Sequence, residues 1–488
     1  MRLEQFLASA DEPASSYFWP RWIVLRGLGL IFFSAFFSLA FQIHGLVGTR
    51  GILPAGDYLH NVRGALGVVR GLWYAPTLFW INSGDYALGI VVGAGIVCSL
   101  LLTANIWPRL TIALCTLLFL SCIATLQDFS SYQSDGMLLE AGFIGFWFAP
   151  LGLRPRLGTA DPPSPFSLFM MRWEWFRIYF ESGIVKLASG DPHWRNLTAM
   201  DEYYQNGPLP TWIGWYVQHW PHWFHAGTVI VTLGIELFVV WMIWLARPFR
   251  VACFIIVTLL QIGIIATANY AFLNHLVLLL GVLLLDDQTL ARVRLTVSVS
   301  KRVRRPPWFR YTETAALGII LYGTVMAFVP GVPLLGWPVE LLAPFRFANA
   351  YGLFAVMTEG RYEIEFQGSR DGTTWIAYPF KYKPQDVNER PGIYAPYQPR
   401  FDWNLWFASL GPWQQSPWVV NAQLRLTEGS PSVLRLFRSD PFKGQPPTLV
   451  RTVIWQYWFS DRETKRATGA WWRRQLIGPY TGSVALPR

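Results

Sequence analysis

Repeated apolar runs of about 20 residues constrain this chain more than any other feature, because a helix of that length crosses the hydrocarbon core of a bilayer. Hydrophobic residues make up 52% of the 488 residues, and charged residues make up only 14%. Inside a membrane each backbone polar group must be satisfied within the protein, so runs of this kind fold as helices. The pattern predicts an integral, polytopic α-helical membrane protein in contact with the lipid bilayer.

The predicted transmembrane domain comprises residues 1–343 and has about nine spans. The Gly/Pro-rich connection after the first span is long enough for an interfacial or re-entrant segment. Gly93 and Gly95 in the second span are small enough to let another helix approach closely. The predicted spans are 23–41, 86–107, 110–126, 137–153, the charged helix within 166–200, 228–246, 251–267, 272–285 and 314–329.

Basic residues predict the orientation of these spans, because cytoplasmic loops carry an excess of Lys and Arg. They occur near Arg109, Arg154 and Arg250 and most densely in the linker 287–311, and nine spans place all of these on one side. We therefore expect the N-terminus and this linker inside, with the C-terminus and the Trp-rich loop 188–225 outside. The net charge of +10 reflects this orientation, so no nucleic-acid partner is expected.

Residues 344–488 are polar and aromatic-rich, and they have the size of one domain. The strings RYEIEFQGS and TTWIAYPFKY alternate apolar and polar residues around an RDG turn, which predicts a β-hairpin. LVRTVIWQYWFS predicts a further strand, whereas DWNLWFASL and PWVVNAQLRL predict short helices. We expect an extracytoplasmic, β-rich, sandwich-like domain with helical insertions.

The fifth span carries charges that are costly in a membrane, so each is a functional-site hypothesis. Glu174, Arg177 and Glu181 share one helical face as an acid–base–acid ladder. Lys186 lies about 180° around the helix from Arg177 and has no obvious local partner. One interpretation is a salt-bridge ladder that joins two helices. The other is a reactive or substrate-facing Lys186.

Three further carboxylates extend the set of candidates. Asp135 and Glu140 flank the mouth of the fourth span and could handle protons together with Lys186. The structural alternative is a helix-capping Asp135 and a buried, hydrogen-bonded Glu140. Glu236 is a polar residue inside the sixth span. A transporter with an ion path through Glu140, Glu181 and Glu236 is a weaker hypothesis, because the sequence has no inverted repeat.

Neither metal nor cofactor binding is predicted. His219, His222 and His225 recur at every third residue, but Pro221 breaks a helix there and the spacing spreads the rings apart. The four cysteines lie in apolar runs and are expected to be buried thiols.

Several long strings resemble the lipase maturation factor family. They are SYQSDGMLLEAGF, ESGIVKLASGDPHWRNLTAM, NGPLPTWIGWYVQHWPHWFH and FANAYGLFAVMTEGRYEIEFQGSRDGTTWIAYPFKYKP, followed by APYQPRFDWNLWFASLG, LTEGSPSVLRLF and GAWWRR. The resemblance covers most of the chain from Ser131 onward. It implies a membrane-bound factor that helps exported lipases fold and assemble, with its C-terminal domain outside the cytoplasm.

A more distant similarity is to vitamin K-dependent γ-glutamyl carboxylase, carried by SGIVKL…W…NLTAM. That similarity aligns Lys186 with the catalytic lysine base of the enzyme. However, the carboxylase has a functional histidine in the stretch that aligns loosely with Asp135, and this chain has no histidine between Phe129 and Gly145.

We therefore expect a non-enzymatic maturation factor whose partner is an exported client protein, with a lipase as the first candidate. The alternative is an intramembrane enzyme that uses Lys186 as a base. Only six of the 40 basic residues are lysine, which is typical of a GC-rich bacterial genome and favours a bacterial inner membrane. In a eukaryote the expected location is the endoplasmic reticulum.

Overall fold

The computed structural model describes residues 16–130, 132–298, 305–326 and 339–485. The part before residue 327 is helical, and the part after residue 338 combines a small sheet with short helices. Helices α1 to α15 are Phe18–Ala40, Ile43–Val47, Ala55–Tyr74, Asp85–Thr103, Pro108–Ile123, Gln133–Phe148, Pro165–Ala188, Pro192–Arg195, Ala199–Asn206, Trp212–Gln218, His222–Leu237, Arg247–Thr267, Leu273–Gly281, Asp287–Ala291 and Pro307–Met326.

All nine predicted spans coincide with helices, although their bounds differ by a few residues. Four helical segments of the described chain are long and apolar enough to cross a membrane: α1, α4, α12 and the segment His222–Trp244, in which a 3₁₀ turn continues α11. Helices α5 and α13 are apolar but shorter. The structure thus confirms an integral membrane protein with four candidate spans, and the count of nine is not confirmed. The end of the ninth predicted span, 327–329, lies outside the described residues.

Helix α1 packs against α4, and a small residue of α4 lets the two helices approach closely. At Gly95 of α4 an added Cβ atom would clash with the Phe36 ring of α1, so this glycine allows the close approach that the sequence predicted. Gly93 is different, since an added Cβ atom there would meet nothing within 4 Å. The predicted role of Gly93 in helix approach was therefore wrong.

The helix that carries the charges, α7, begins with a clear local signal. Ser164 is its N-cap and accepts a hydrogen bond from the backbone amide of Ser167 at 3.0 Å, and Pro165 occupies the first helical position. In the Trp-rich loop that follows α7, the chain forms the short helices α8, α9 and α10.

The C-terminal region contains one antiparallel sheet and several short helices. The strands β1 to β4 are Arg361–Ser369, Ile376–Ala377, Leu449–Phe459 and Trp472–Ala485, and the helices α16 to α19 are Arg400–Ser409, Trp418–Thr427, Pro431–Leu434 and Arg462–Thr468. The strand order in the sheet is β2-β1-β3-β4. The predicted hairpin of β1 and β2, the strand β3 and the two predicted helices (α16 and α17) are all confirmed, whereas β4 was missed. A second sheet is not found among residues 339–485, so the predicted sandwich is not confirmed.

Buried polar side chains join the two regions. Arg361 of β1 donates to the backbone carbonyl of Gln205 at 3.1 Å and to that of Pro208 at 3.0 Å. Asn269, which follows α12, accepts from the backbone amide of Tyr394 at 2.6 Å. Because buried polar groups are costly to leave unpaired, these bonds fix the sheet region on the helical region.

Candidate functional site

The first charged cluster of α7 surrounds Arg177. Its guanidinium forms an ion pair with Glu140 of α6, and both side chains are fully buried. It also lies 3.6 Å from a carboxylate oxygen of Glu181 and donates to the carbonyl of Asn349 at 2.5 Å. The predicted contact between Arg177 and Glu181 is therefore present, and Glu140 adds a partner from a second helix.

Two residues after the helical region close this cluster. The Tyr351 hydroxyl donates to Glu140 at 2.8 Å, and the Tyr351 backbone amide donates to Glu181. The Asn349 side-chain amide also donates to Glu140, at 3.1 Å. Glu140 is thus a buried, hydrogen-bonded carboxylate, as one of the two interpretations predicted.

Asp135 has a different role from the helix cap that we considered. Tyr132 occupies the N-cap position of α6, and the Asp135 carboxylate forms two charge-assisted hydrogen bonds to Arg400 of α16, at 2.7 and 2.8 Å. Both side chains are fully buried. Asp135 therefore anchors the C-terminal region to the helical region.

Lys186 finds its partner on another helix. Its ammonium nitrogen lies 2.8 Å from each carboxylate oxygen of Glu236 on α11, and it lies 5.2 Å from the centre of the Trp194 ring. The lysine is only 2% exposed. A search confined to α7 could not find this partner, because 50 residues separate the two side chains.

Both members of this pair line a cavity of about 530 Å³. That volume and a lining dominated by apolar side chains are typical of small-molecule sites. Next to the pair is a second polar group, in which Gln261 donates to the Tyr179 hydroxyl at 2.9 Å and Asn274 donates to Gln261 at 2.7 Å. The cavity lies between α7, α11, α12 and α13, and the Trp-rich loop closes one side.

The structure does not assemble Lys186, Asp135 and Glu140 into one site. The two carboxylates do not line the cavity, and each is paired with an arginine elsewhere. Glu174 is buried beside the Glu140–Arg177 pair and does not line the cavity either. Lys186 and Glu236 are the predicted site residues that the cavity brings together.

A base role for Lys186 has a geometric requirement. Its nitrogen is held by both oxygens of Glu236 and lies 3.5 Å from the carbonyl of Ser182. These contacts would have to loosen before the nitrogen could accept a proton from a molecule in the cavity. In the observed arrangement the pair presents polar atoms to a ligand, and this favours binding.

The three histidines of the Trp-rich loop have separate partners. His219 contacts the carbonyls of Trp215 and Ser460, His222 contacts Asp201, and His225 contacts the carbonyl of Trp220. Among the described residues, no group of three His, Cys, Asp or Glu side chains is placed to hold a metal ion. Cys115, Cys122 and Cys253 are buried thiols, and Cys98 is half-buried.

Sequence reasoning missed several residues of these clusters. Arg400, Asn349 and Tyr351 lie in the C-terminal region, and no local pattern marks them as partners of carboxylates in the helical region. Gln261 carried a signal, because a glutamine inside an apolar run is rare and faces the protein interior.

Comparisons with known proteins cover both regions of the chain. The family model described as "Lipase maturation factor transmembrane domain" matches residues 19–292, and the one described as "Lipase maturation factor C-terminal domain" matches residues 347–482. "Lipase maturation factor 2" of Homo sapiens is 32% identical, over 96% of this chain and 83% of that protein. "Lipase maturation factor 1" of Mus musculus is also 32% identical, over 98% of this chain and 90% of that protein. No solved structure matches.

Proposed function

This chain belongs to the lipase maturation factor family, and on that premise we propose that it is a membrane-bound maturation factor for exported lipases. The observation that carries the proposal is the match to relatives of that name along nearly the whole chain, including both the helical and the C-terminal regions. An apolar helical region with four candidate spans supports action at a membrane.

The proposed topology has nine membrane crossings, with the N-terminus inside and the C-terminal domain outside. The helices at all nine predicted positions and the basic loops on one side support it. The shorter helices α5 and α13 would be accommodated by packing inside the bundle. The proposed location is a bacterial inner membrane, or the endoplasmic reticulum in a eukaryote.

The outer strand β4 is the surface that we assign to the client. It is at the edge of the sheet, so one side of its backbone is unpaired within the sheet. Residues 473–477 are all exposed, with Leu476 at 50% and Ile477 at 54%. Ile477 is the extra residue of a β-bulge, because Trp455 of β3 pairs with Leu476 and Ile454 pairs with Gly478. Neither face of the strand is covered there, which suits the addition of an extended client segment.

The limits of this surface follow from the strand itself. Gly478 and Pro479 come next, and Pro479 has no amide to donate, so pairing beyond this point is weakened. The proposed client-binding segment is therefore 473–477.

The test uses the full chain in its native host with the gene deleted. We expect deletion to lower the activity of secreted lipases per milligram of lipase protein, and the wild-type gene to restore it. Leu476→Lys with Ile477→Lys should weaken co-purification with the lipase by about tenfold or more, because the half-exposed apolar area of two side chains is lost. Gln475→Lys is the matched control, since Gln475 is exposed on the same strand and has no apolar surface to lose.

Two results would oppose the proposal. Unchanged lipase activity in the deleted strain would reject lipases as clients. Full restoration by the double lysine variant would reject β4 as the client surface and leave the maturation role intact.

The second candidate is an intramembrane enzyme with Lys186 as base. This hypothesis is supported by the position of Lys186 on the wall of a ligand-sized cavity. Lys186→Met together with Glu236→Gln removes the charged pair without leaving one charge alone. If the double variant inserts normally and restores lipase activity, the non-enzymatic role is supported, whereas loss of activity in a folded variant favours the enzyme.

A further inference from the structure

The cavity has an apolar mouth between two helices that can each cross a membrane. Val231 of α11 and Leu259 of α12 both line it, and they are 56% and 65% exposed. Gly263, also on the lining, is exposed on α12 one turn beyond Leu259. Because these helices meet hydrocarbon in a bilayer, the mouth opens sideways into the lipid and not into water.

The inner wall includes four buried polar side chains, Lys186, Glu236, Gln261 and Asn274, together with the buried hydroxyls of Tyr179, Ser182, Thr232 and Thr267. The charges of Lys186 and Glu236 cancel, so the wall has no net charge that would attract an ion. The Tyr179 hydroxyl accepts from Gln261 and can donate its own hydrogen to a ligand. These groups suit a neutral head that contains both hydrogen-bond donors and acceptors, such as hydroxyls and a carbonyl.

The volume limits the size of the occupant. If each heavy-atom group takes about 30 Å³, as a water molecule does in the liquid, a cavity of about 530 Å³ holds about 18 groups. That is enough for one hydrocarbon chain with a small head, and too little for a two-chain phospholipid. Filling an apolar cavity with hydrocarbon is also more favourable than filling it with water.

We propose that this cavity is a lipid-binding site, entered from the bilayer between α11 and α12, for a neutral single-chain lipid with a hydroxyl- and carbonyl-bearing head. The chain occupies the apolar part near Val231 and Leu259, and the head contacts the Lys186–Glu236 pair and Gln261. Binding is a property of the helical region by itself, so it does not depend on the proposed action on lipases.

The test is photolabelling of the purified full chain in phosphatidylcholine nanodiscs with a photoreactive, alkyne-tagged monoacylglycerol of about ten acyl carbons, a size that the cavity can hold. We expect saturable labelling of peptides from α11 and α12, with competition by unlabelled monoacylglycerol. A free fatty acid of the same chain length should compete about tenfold less, because a wall without net charge does not compensate the desolvation of its carboxylate.

A pair of matched variants distinguishes labelling inside the cavity from labelling by ordinary contact with surrounding lipid. At Gly263 an added Cβ atom meets nothing within 4 Å, so Gly263→Phe places a ring in the mouth without a backbone clash. We expect about tenfold less labelling in this variant. Gly93→Phe is the control, since Gly93 is equally open and exposed on α4, away from the cavity.

Two outcomes would overturn the proposal. Equal labelling of the two variants, or labelling that does not saturate, would show ordinary contact with surrounding lipid. Equal competition by the fatty acid in the wild-type protein, a measurement that requires no variant, would reject the neutral head.

Discussion

Two ion pairs on the same helix differ in what surrounds them. Around Arg177, the carboxylates of Glu140 and Glu181 are bonded by a guanidinium, a tyrosine hydroxyl, the side-chain amide of Asn349 and the backbone amides of Asn349 and Tyr351. Lys186 and Glu236 bond mainly to each other, and one side of the pair faces a cavity.

The difference in pairing indicates a difference in role. A buried charge that is bonded by several protein groups and does not line a cavity holds elements in place, and its removal leaves other charges uncompensated. A buried pair with one side towards a ligand-sized space can exchange part of its bonding with an occupant. Burial and charge alone do not distinguish the two cases, because Arg177 and Lys186 are both almost completely buried.

The largest effect that would test this comparison is expected at Arg177. Arg177→Met leaves the carboxylates of Glu140 and Glu181 buried without their cation, at a cost of about 3–5 kcal/mol. Because whole proteins are stable by only about 5–15 kcal/mol, the variant should accumulate poorly as folded protein. Size-exclusion chromatography of detergent extracts measures this, with Arg195→Met at an exposed position as control. Normal folding of Arg177→Met would contradict a structural role for the cluster.

A double-mutant cycle tests whether the Asp135–Arg400 pair stabilises the fold, as we expect of the Arg177 cluster. Asp135→Asn, Arg400→Met and the double variant should give a coupling of about 3 kcal/mol, since the pair is fully buried with two hydrogen bonds. Thermal unfolding of the full chain measures it. The exposed pair of Arg438 and Glu389 is the matched control, with coupling of about 0.5 kcal/mol or less. Similar coupling free energies in the two cycles would contradict the anchoring role of Asp135.

Asp402 of the C-terminal region shows the behaviour of a buried carboxylate held chiefly by backbone amides. Burial raises its pKa from 3.8 to about 6, against hydrogen bonds from the amides of Lys383 and Tyr382. The folded state thus binds the proton more tightly than the unfolded chain. Its stabilising contribution is complete below pH 3.8 and lost as the pH rises through about 6.

The expected size of this loss is at most about 3 kcal/mol, from about 1.4 kcal/mol for each pKa unit. Asp402→Asn cannot titrate, so the melting temperature of the variant should rise relative to the wild type between pH 4 and pH 6. Melting curves recorded across that range in nanodiscs measure the difference. Parallel pH profiles for the two proteins would show that Asp402 does not titrate in this window.

The smallest effect is expected at the cavity pair. Lys186→Met leaves Glu236 beside a cavity that can admit polar atoms, so we expect a loss of about 1–2 kcal/mol, less than at Arg177. Adding Glu236→Gln should recover most of it, because no charge is then left alone. Thermal unfolding of the three proteins measures both steps. If Lys186→Met lowers the free energy of unfolding as much as Arg177→Met does, the proposed difference between the two pairs is contradicted.

Local patterns were sufficient to locate the predicted spans and most strands of this fold, but not β4. The apolar runs identified nine helical segments, and strand alternation identified the hairpin of β1 with β2 and the strand β3. The strand β4 was missed because WRRQLIGPYTGSVA contains Gly and Pro and lacks clean alternation. It becomes a strand through pairing with β3 along ten residue positions, with bulges that absorb the irregular stretch.

The sequence by itself determined which charges lie in apolar segments and that Glu181 contacts Arg177, because helical spacing is a local property. It could not determine that Arg177 meets Glu140, that Asp135 meets Arg400, or that Lys186 meets Glu236. Those pairings are determined by helix packing and by the docking of the C-terminal region, because both bring together residues that are far apart in the chain. The cavity was decided in the same way, since it is the space that remains between helices once their side chains are packed.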